Sequence, residues 1–209
     1  MSITHPITIS IVGPATITIT GGAIVGGGDP PAATTWDANN MTANTTLSDG
    51  DLTASSASDV APGEVKTTTS RSSGKRAARF TLNYGEGQFV GFGVAAVGAL
   101  VPGQNNYLAA LFQDGYFDIA EEGSNDIGLT VPTGGDGFIY YDPALGYVWV
   151  DNASDSTASD REAGINPHYT VTPFAPLALI TNLGSAEGAA VSATLDPTYS
   201  SGSFQAWDS

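Results

Sequence analysis

The apolar residues of this chain recur with the period of β-strands. Between Gly74 and Asn152, short runs rich in Phe, Tyr, Val and Ile alternate with turn-forming Gly, Asp, Pro and Asn; the runs are RFTL, QFVGFGV, NYLAALF, GYFDI, GFIYY and YVWVDN. Such runs bury alternate side chains against a second sheet and leave almost no room for helices. The pattern predicts an all-β fold, an antiparallel β-sandwich or jelly roll.

The remaining segments are more polar. Asp49-Gly50 lies between alternating residues and predicts a hairpin, and Asn39-Asn40 predicts a further turn. Residues 55–79 indicate an exposed loop followed by a strand, in which Thr67 to Ser73 has few apolar residues and is expected to face solvent at a sheet edge. We expect residues 151–168 to form a polar loop.

Two closing strands and a tail are predicted after that loop. The strands are TPFAPLALITNLG and AAVSATLDP, and the short tail carries Phe204 and Trp207.

The N-terminal segment has a pattern of its own. Isoleucines alternate with Thr and Ser on either side of Gly13-Pro14, and a stretch rich in glycine and proline follows; the isoleucines are Ile3, Ile7, Ile9, Ile11, Ile17 and Ile19. The pattern predicts a two-stranded arm and linker over residues 1–30, ahead of a β-sandwich domain over residues 31–209. An isolated ribbon buries too little apolar surface to be stable, so we expect the arm to dock, on a neighbouring subunit rather than on its own body.

Composition excludes several classes of partner and chemistry. The 209 residues are 41% hydrophobic and carry 21 acidic against 6 basic side chains, a formal charge of -15 that disfavours nucleic acid and anionic membranes. The absence of cysteine excludes disulfides, thiolate nucleophiles and cysteine-bound metals. No run approaches the roughly 20 apolar residues of a spanning helix, and no export signal is recognisable, so we expect a soluble protein.

Five of the six cations lie in one short stretch of this acidic chain. They are Lys66, Arg71, Lys75, Arg76 and Arg79. The simpler interpretation is an exposed strand pair whose cations are paired with neighbouring carboxylates. The alternative is a contact surface for an acidic partner subunit, to which Arg71, Lys75, Arg76 and Arg79 would contribute.

Catalytic interpretations find little support. His5 and His168 are the only histidines, each beside a proline, and we expect both to have surface or packing roles. Glycoside hydrolysis needs two carboxylates across a sugar bond. The nearest candidates, Asp118, Glu121 and Glu122, lack the alternation that would place them on one strand face. We therefore predict no catalytic residue, and hydrolysis is the weakest hypothesis.

Metal and sugar sites are weakly indicated. Oxygen ligands for calcium could come from Asp49 and Asp51, or from a cluster formed by Asp151, Asn152, Asp155 and Asp160, but turn chemistry explains these residues equally well. Tyr140, Tyr141, Tyr147 and Trp149 could stack on a sugar. Adjacent Tyr140 and Tyr141 must point to opposite faces of a strand, which favours packing. No metal and no cofactor is predicted.

The order of these segments resembles the SPRY-like branch of the concanavalin-type jelly rolls, especially the versions in bacteriophage structural proteins. The resemblance spans roughly residues 34–200 and depends on a set of short motifs: Trp36-Asp37, LSDG at 47–50, SSGKRAARFTL at 72–82, VGFGV at 90–94, GDGFI at 135–139, Leu145-Gly146 and YVWVDN at 147–152. Where the family often has aromatic residues after Gly-Lys, this chain has Arg76-Ala77-Ala78-Arg79. The resemblance implies a binding or scaffolding module and not an enzyme.

The expected function follows from that resemblance and from the arm. It is a non-enzymatic bacteriophage virion protein, specifically a capsid decoration or cement subunit that is assembled in the host cytoplasm and anchored by its arm. Its partners would be the major capsid protein or other virion subunits, with a homo-oligomer, preferably a trimer, as the assembled form. The alternative is a tail or fibre module that binds a glycan or a host receptor.

Overall fold

Two sheets stacked face to face form the body of the protein. The computed structural model describes residues 33–57, 63–101, 106–119, 123–184 and 190–209. The body extends from Ala33 to Ser209 as one unit. The predicted arm, from Ile3 to Ile19, lies outside the described residues, and the domain boundary near residue 30 stays a prediction.

Fifteen strands and one helix occur in the described ranges. Their bounds are β1 (Trp36–Met41), β2 (Thr46–Ser48), β3 (Thr53–Ser56), β4 (Gly63–Arg71), β5 (Arg76–Asn83), β6 (Phe89–Ala96), β7 (Ala109–Phe112), β8 (Tyr116–Ile119), β9 (Gly123–Asp126), β10 (Gly135–Asp142), β11 (Tyr147–Asn152), α1 (Ala158–Ala163), β12 (Tyr169–Thr170), β13 (Leu177–Gly184), β14 (Val191–Asp196) and β15 (Gln205–Ala206). One sheet has the order β1-β4-β13-β6-β7-β8-β9. The other has the order β12-β11-β10-β5-β14-β3-β2, with β15 pairing parallel to β5.

The core lies between the inner faces of the two sheets. Phe80 of β5 stacks on Phe92 of β6 across the interface, with ring centroids 4.9 Å apart, and Trp36 lies 6.2 Å from Phe80. Gly137 makes room for this contact, because a Cβ there would lie 2.2 Å from the Phe92 ring. The predicted runs form β5, β6, β7, β8, β10 and β11, so the all-β sandwich is confirmed.

The two predicted turns differ in outcome. Asp49-Gly50 begins the turn between β2 and β3, with φ of 55° and 67°, values that favour Asp and Gly in the left-handed region. The prediction of a turn at Asn39-Asn40 is wrong, because both residues belong to β1 and the turn falls at residues 43–44. Asn40 uses its side chain to bind the backbone of Gly98 and Leu100 instead.

The prediction of an edge strand is wrong, but the predicted solvent exposure is confirmed. Strand β4 pairs with β1 on one side and β13 on the other. Of the predicted stretch, Thr67 is buried, whereas residues 68–73 are half-buried or exposed. Threonine is tolerated inside this sheet because its hydroxyls find partners: Thr67 Oγ1 donates to the carbonyl oxygen of Thr69 at 2.8 Å, and the Thr34 and Thr69 hydroxyls share a 2.7 Å hydrogen bond. Low apolar content therefore does not place a threonine-rich strand at an edge.

The predicted polar loop contains a helix. Helix α1 occupies Ala158–Ala163 and ends at Gly164, whose φ of 68° gives the left-handed C-terminal cap. The predicted tail is likewise ordered and packed, since Phe204 and Trp207 are both buried. Within the described residues no helix is long and apolar enough to cross a bilayer.

The two ends of the body meet. The backbone N–H of Thr34 donates to Asp208 Oδ1 at 2.5 Å, and the Trp207 N–H donates to the Ala77 carbonyl oxygen at 2.8 Å. The first residues of the body therefore lie beside its last residues.

Candidate protein-interaction surfaces

Arg71 and Arg76, two of the four cations predicted to contact a partner, bind the C-terminal segment of this chain. Arg71 Nε donates to the carbonyl oxygen of Trp207 at 2.6 Å. Arg76 Nη1 donates to the carbonyl oxygens of Ala206 at 3.1 Å and Ser209 at 2.6 Å. Burial and the neighbouring Arg71 charge lower the pKa of Arg76. Both guanidinium groups therefore serve the fold of this chain.

Lys75 and Arg79, the other two cations predicted to contact a partner, form ion pairs within this chain. Arg79 lies 2.8 Å from Asp196 and 3.5 Å from Asp136, and Lys75 Nζ lies 3.6 Å from Asp142. Burial opposes ionisation of Asp196, but hydrogen bonds from Thr198 and Arg79 outweigh it, so the pKa of Asp196 is lowered. These pairs match the simpler interpretation of the basic stretch. A role of the four cations toward a partner stays a prediction.

An exposed apolar surface lies at one end of the sandwich, which we call the apolar end. Its members are Leu145, Ile165 and Phe174, of which Phe174 is 63% exposed. The Phe174 N–H donates to the Pro143 carbonyl oxygen at 2.7 Å, so the phenylalanine sits on the β10–β11 turn that carries Leu145. Leu145 also lies beside Gly164, because a Cβ added to Gly164 would lie 3.0 Å from Leu145 Cδ1. Ile165 is the next residue in the chain.

The loop that presents Phe174 is held firmly. The Ala175 N–H donates to the Thr172 carbonyl oxygen at 3.0 Å, and the buried Tyr141 hydroxyl donates to the Ala175 carbonyl oxygen at 2.5 Å. Phe174 itself has a φ of 61°, a conformation that costs a residue with a Cβ about 1–2 kcal/mol. The hydrogen bonds impose this strain, and they leave the aromatic ring in solvent.

A groove adjoins this loop where the chain passes from β12 to β13. Its volume is about 530 Å³, and most of its lining is apolar; the lining residues are Ala96, Val97, Leu108, Tyr169, Thr170, Val171, Thr172, Ala175, Pro176 and Leu177. Ala175 belongs both to the groove and to the turn behind Phe174. The apolar end and the groove are therefore neighbouring surfaces.

The candidate catalytic residues do not assemble in the described part of the chain. The His168 ring packs on Phe117 with centroids 5.7 Å apart, and its Nδ1 accepts a hydrogen bond from the Val150 N–H. Burial lowers the pKa of His168 against the opposing charges of Asp151 and Asp160. Asp118 accepts the Tyr107 hydroxyl. His5, Glu121 and Glu122 lie outside the described residues.

The candidate calcium ligands have protein partners. Buried Asp151 accepts hydrogen bonds from the backbone and side chains of Ser156 and Thr157, at 2.6–3.2 Å. Asp155 pairs with Arg161 at 2.6 Å, and Asn166 Nδ2 donates to Asp160 at 3.1 Å. Across the described ranges, no group of three or more His, Asp or Glu side chains is arranged to hold a metal ion.

The candidate sugar-stacking aromatics are largely buried. Tyr140 and Tyr141 point to opposite faces of β10 as predicted, Tyr141 into the core and Tyr140 into a second cluster with Trp149 and Phe204. Arg161 of α1 covers the Tyr140 ring at 4.0 Å. Tyr140 and Trp149 therefore present no face to a sugar.

Sequence reasoning missed the apolar end. Leu145, Ile165 and Phe174 are isolated apolar residues in turns and loops, where single exposed hydrophobic side chains are ordinary. The one available signal is Phe174 between two prolines in TPFAP, which indicates a constrained loop. The proximity of the three side chains depends on long-range packing that a linear pattern does not contain.

No protein-family model matches the chain, and no curated protein matches it significantly in sequence. Solved structures match its fold. The SPRY domain of human HERC1 aligns with a TM-score of 0.53 and 12% identity, covering 77% of this chain and 96% of that domain. The TRIM65 PSpry domain aligns with a TM-score of 0.50 and 14% identity, covering 78% of this chain and 89% of that domain.

Stonustoxin contains a similar region. It aligns with a TM-score of 0.51 and 17% identity over 78% of this chain, which corresponds to 27% of the toxin chain. At these identities the likeness concerns the fold alone. The sequence resemblance and the aligned structures agree on architecture, and the body of this chain has the β-sandwich fold of SPRY domains.

Proposed function

We propose that this chain is a non-enzymatic structural protein that binds other protein subunits through its apolar end. The observation that carries the proposal is Phe174, an aromatic ring held in solvent by a strained and hydrogen-bonded loop. Strain of this kind persists where the surroundings impose it, and it clusters at binding sites. Aromatic side chains are also enriched in the cores of protein interfaces, and a side chain that is already held in place loses little conformational entropy on binding.

The setting we propose is a bacteriophage particle, with the chain as a capsid decoration or cement subunit. The sequence resemblance to SPRY-like phage structural proteins supports this setting. So do the net charge of -15, the absence of cysteine and the isoleucine-rich segment from Ile3 to Ile19, which suits strand addition to a neighbouring subunit. The capsid protein or a second copy of the chain would be the partner.

Glycan or receptor binding receives no comparable support from the described residues. Of its four candidate aromatics, Tyr140, Tyr141 and Trp149 are buried. The fourth, Tyr147, is half-buried and packs against Trp149 with ring centroids 5.8 Å apart. The proposal therefore remains with protein partners.

Particle incorporation tests both parts of the proposal. Particles are purified from the phage or prophage that carries the gene, and the copy number of the chain is measured by quantitative mass spectrometry. We expect Phe174→Ser to lower incorporation about tenfold or more, the loss typical of a central aromatic anchor. Tyr116→Ser is the matched control, since Tyr116 is a 47% exposed aromatic on β8 outside the apolar end, and we expect full incorporation.

Deletion of residues 1–28 tests the anchoring segment separately. We expect it to abolish incorporation while leaving the far-ultraviolet circular dichroism of the body unchanged. Full incorporation without residues 1–28 would refute anchoring by this segment. Full incorporation of Phe174→Ser would refute the role of the apolar end as a binding surface. Absence of the chain from purified particles would refute the virion setting.

A further inference from the structure

Lys66 is a buried cation without a carboxylate partner. Its side chain is 4% exposed, and its ammonium donates one hydrogen bond, to the Ala96 carbonyl oxygen at 3.1 Å. Within the described ranges no Asp or Glu oxygen lies within 4.0 Å of the Lys66 ammonium. Burying an unpaired charge is costly, so such groups are normally paired or hydrogen-bonded on all sides.

The nearest acid in sequence, Glu64, is engaged elsewhere. Glu64 lies two residues before Lys66 on the same face of β4, but its carboxylate accepts hydrogen bonds from Asn182 at 3.0 Å and Asn106 at 2.5 Å. Burial raises the pKa of Glu64. Burial likewise lowers the pKa of Lys66, and Glu64 opposes that shift only in part. The Lys66 charge is therefore incompletely compensated within the protein.

A pocket lies beside Lys66, where the strands on both sides of β4 lose their regular register. Strand β1 departs from the β4 ladder between Trp36 and Met41, and β13 departs from it between Ala178 and Ile180. Bulges of this kind re-aim side chains and are frequent beside binding sites. The resulting pocket has a volume of about 250 Å³, and it is lined by Asp37, Asn40, Lys66, Thr67, Thr68, Thr69, Ser70, Val97, Gly98 and Ala178.

The lining matches an oxyanion of low charge. Lys66 itself belongs to the lining, and the Ala96 carbonyl that accepts from its ammonium directly precedes the lining residues Val97 and Gly98. The Ser70 hydroxyl adds a hydrogen-bond donor to the lining. The hydroxyls of Thr68 and Thr69, also in the lining, already bond to the Thr35 carbonyl oxygen and to the Thr34 hydroxyl.

Asp37 limits the charge that the pocket accepts. Asp37 belongs to the lining, and its Oδ1 accepts the Asn39 N–H at 2.9 Å. A second negative charge on the ligand would be repelled by Asp37, so a monoanion is favoured over a dianion. We infer that this pocket is a binding site for a small monocarboxylate, which acts as the counterion of Lys66.

Nuclear magnetic resonance of the lysine ammonium groups tests this inference directly. The chain has two lysines, Lys66 and Lys75, so each ¹⁵N ammonium signal is assigned by one substitution. The full-length protein is titrated with sodium acetate against sodium chloride at equal ionic strength. We expect the Lys66 signal to shift and saturate with acetate, while Lys75, which is paired with Asp142, stays unchanged. A Lys66 signal that acetate does not move overturns the inference.

Thermal unfolding supplies a second readout that does not depend on observing the ammonium signal. Acetate is expected to raise the Tm above its value in chloride for the wild type and for Lys75→Met, but not for Lys66→Met. Lys66→Met keeps the length of the side chain and removes a buried charge, a change that folds tolerate. Equal stabilisation of Lys66→Met by acetate overturns the inference.

Inorganic phosphate tests whether Asp37 makes the pocket prefer a monoanion to a dianion. We expect phosphate at neutral pH to bind the wild type more weakly than acetate, and Asp37→Asn to reduce or remove that difference. A preference for acetate that persists unchanged in Asp37→Asn overturns the role assigned to Asp37.

Discussion

Arg161 provides the sharpest test of how the C-terminal half is held together. Its side chain is 2% exposed and links three elements: it covers the Tyr140 ring at 4.0 Å, lies 2.6 Å from Asp155 and lies 3.8 Å from buried Asp151. It also donates to Ser201 Oγ at 3.3 Å. Arg161→Met retains the bulk of the side chain and removes its charge.

The expected cost is the balance of opposing contributions. Loss of a desolvated cation–π contact costs about 2 kcal/mol, and loss of charged hydrogen bonds costs about 1.5–3 kcal/mol each before solvent screening. Removing the buried Arg161 Nε, which has no hydrogen-bond partner among the described residues, returns about 1–3 kcal/mol. Asp151 keeps its hydrogen bonds to Ser156 and Thr157, which limits the penalty of leaving it unpaired. We therefore expect the free energy of unfolding to fall by about 3 kcal/mol, within the range for a broken buried pair.

Equilibrium unfolding in urea, followed by tryptophan fluorescence, measures this change. The slope of the transition should stay constant while its midpoint falls. Asp155→Asn is the matched control, since Asp155 is 54% exposed and its contribution is screened, and we expect a loss of under about 1 kcal/mol. A loss below about 1 kcal/mol for Arg161→Met, or equal losses for the two variants, would refute the assignment of Arg161 as the central link.

Three further predictions follow from local geometry. Phe174→Gly should raise the free energy of unfolding by up to about 1 kcal/mol, because glycine relieves the φ of 61°; a clear loss in urea denaturation would contradict this. Burial raises the pKa of Glu64 above its ordinary 4.5, so its contribution to stability is full below that value and falls as pH rises through the folded pKa; Glu64→Gln should flatten this dependence, and parallel stability–pH curves for the two proteins would contradict it. Gly93→Ala should lower the free energy of unfolding by about 3 kcal/mol or more, because the added Cβ would lie 2.0 Å from the Ala109 carbonyl oxygen. The control Gly85→Ala should be nearly neutral, because its Cβ would lie no closer than 3.4 Å to a neighbouring atom. Similar Tm values for the two variants would contradict this prediction.

The sandwich was predictable because its core strands carry a local signal. The alternation in β5, β6 and β10 records which side chains face the second sheet, and adjacent Tyr140 and Tyr141 separate to opposite faces for the same reason. Helix α1 was missed because its sequence, ASDREA, has no apolar face. Its buried residue is a cation, Arg161.

The candidate binding surfaces were less predictable because they depend on which strands become neighbours. Lys66 belonged in sequence to a basic stretch, but the fold buries it on β4 apart from the ion pairs of Lys75 and Arg79. Its pocket lies where β1 and β13 change register against β4, and that register is set by pairing between distant segments. The candidate arm residues lie outside the described ranges, so their role stays a prediction.

The contact between Thr34 and Asp208 has a consequence for protein engineering. Because the body starts and closes at one point on its surface, the whole sandwich can replace a few residues of a surface loop in a host protein without stretching that loop. The same closure permits a circular permutant, in which a short linker joins residues 209 and 33 and new ends are opened at the exposed Asp49-Gly50 turn. In such a chain the body would be displayed with Phe174 and its rigid loop intact, as a transplantable module with a defined orientation.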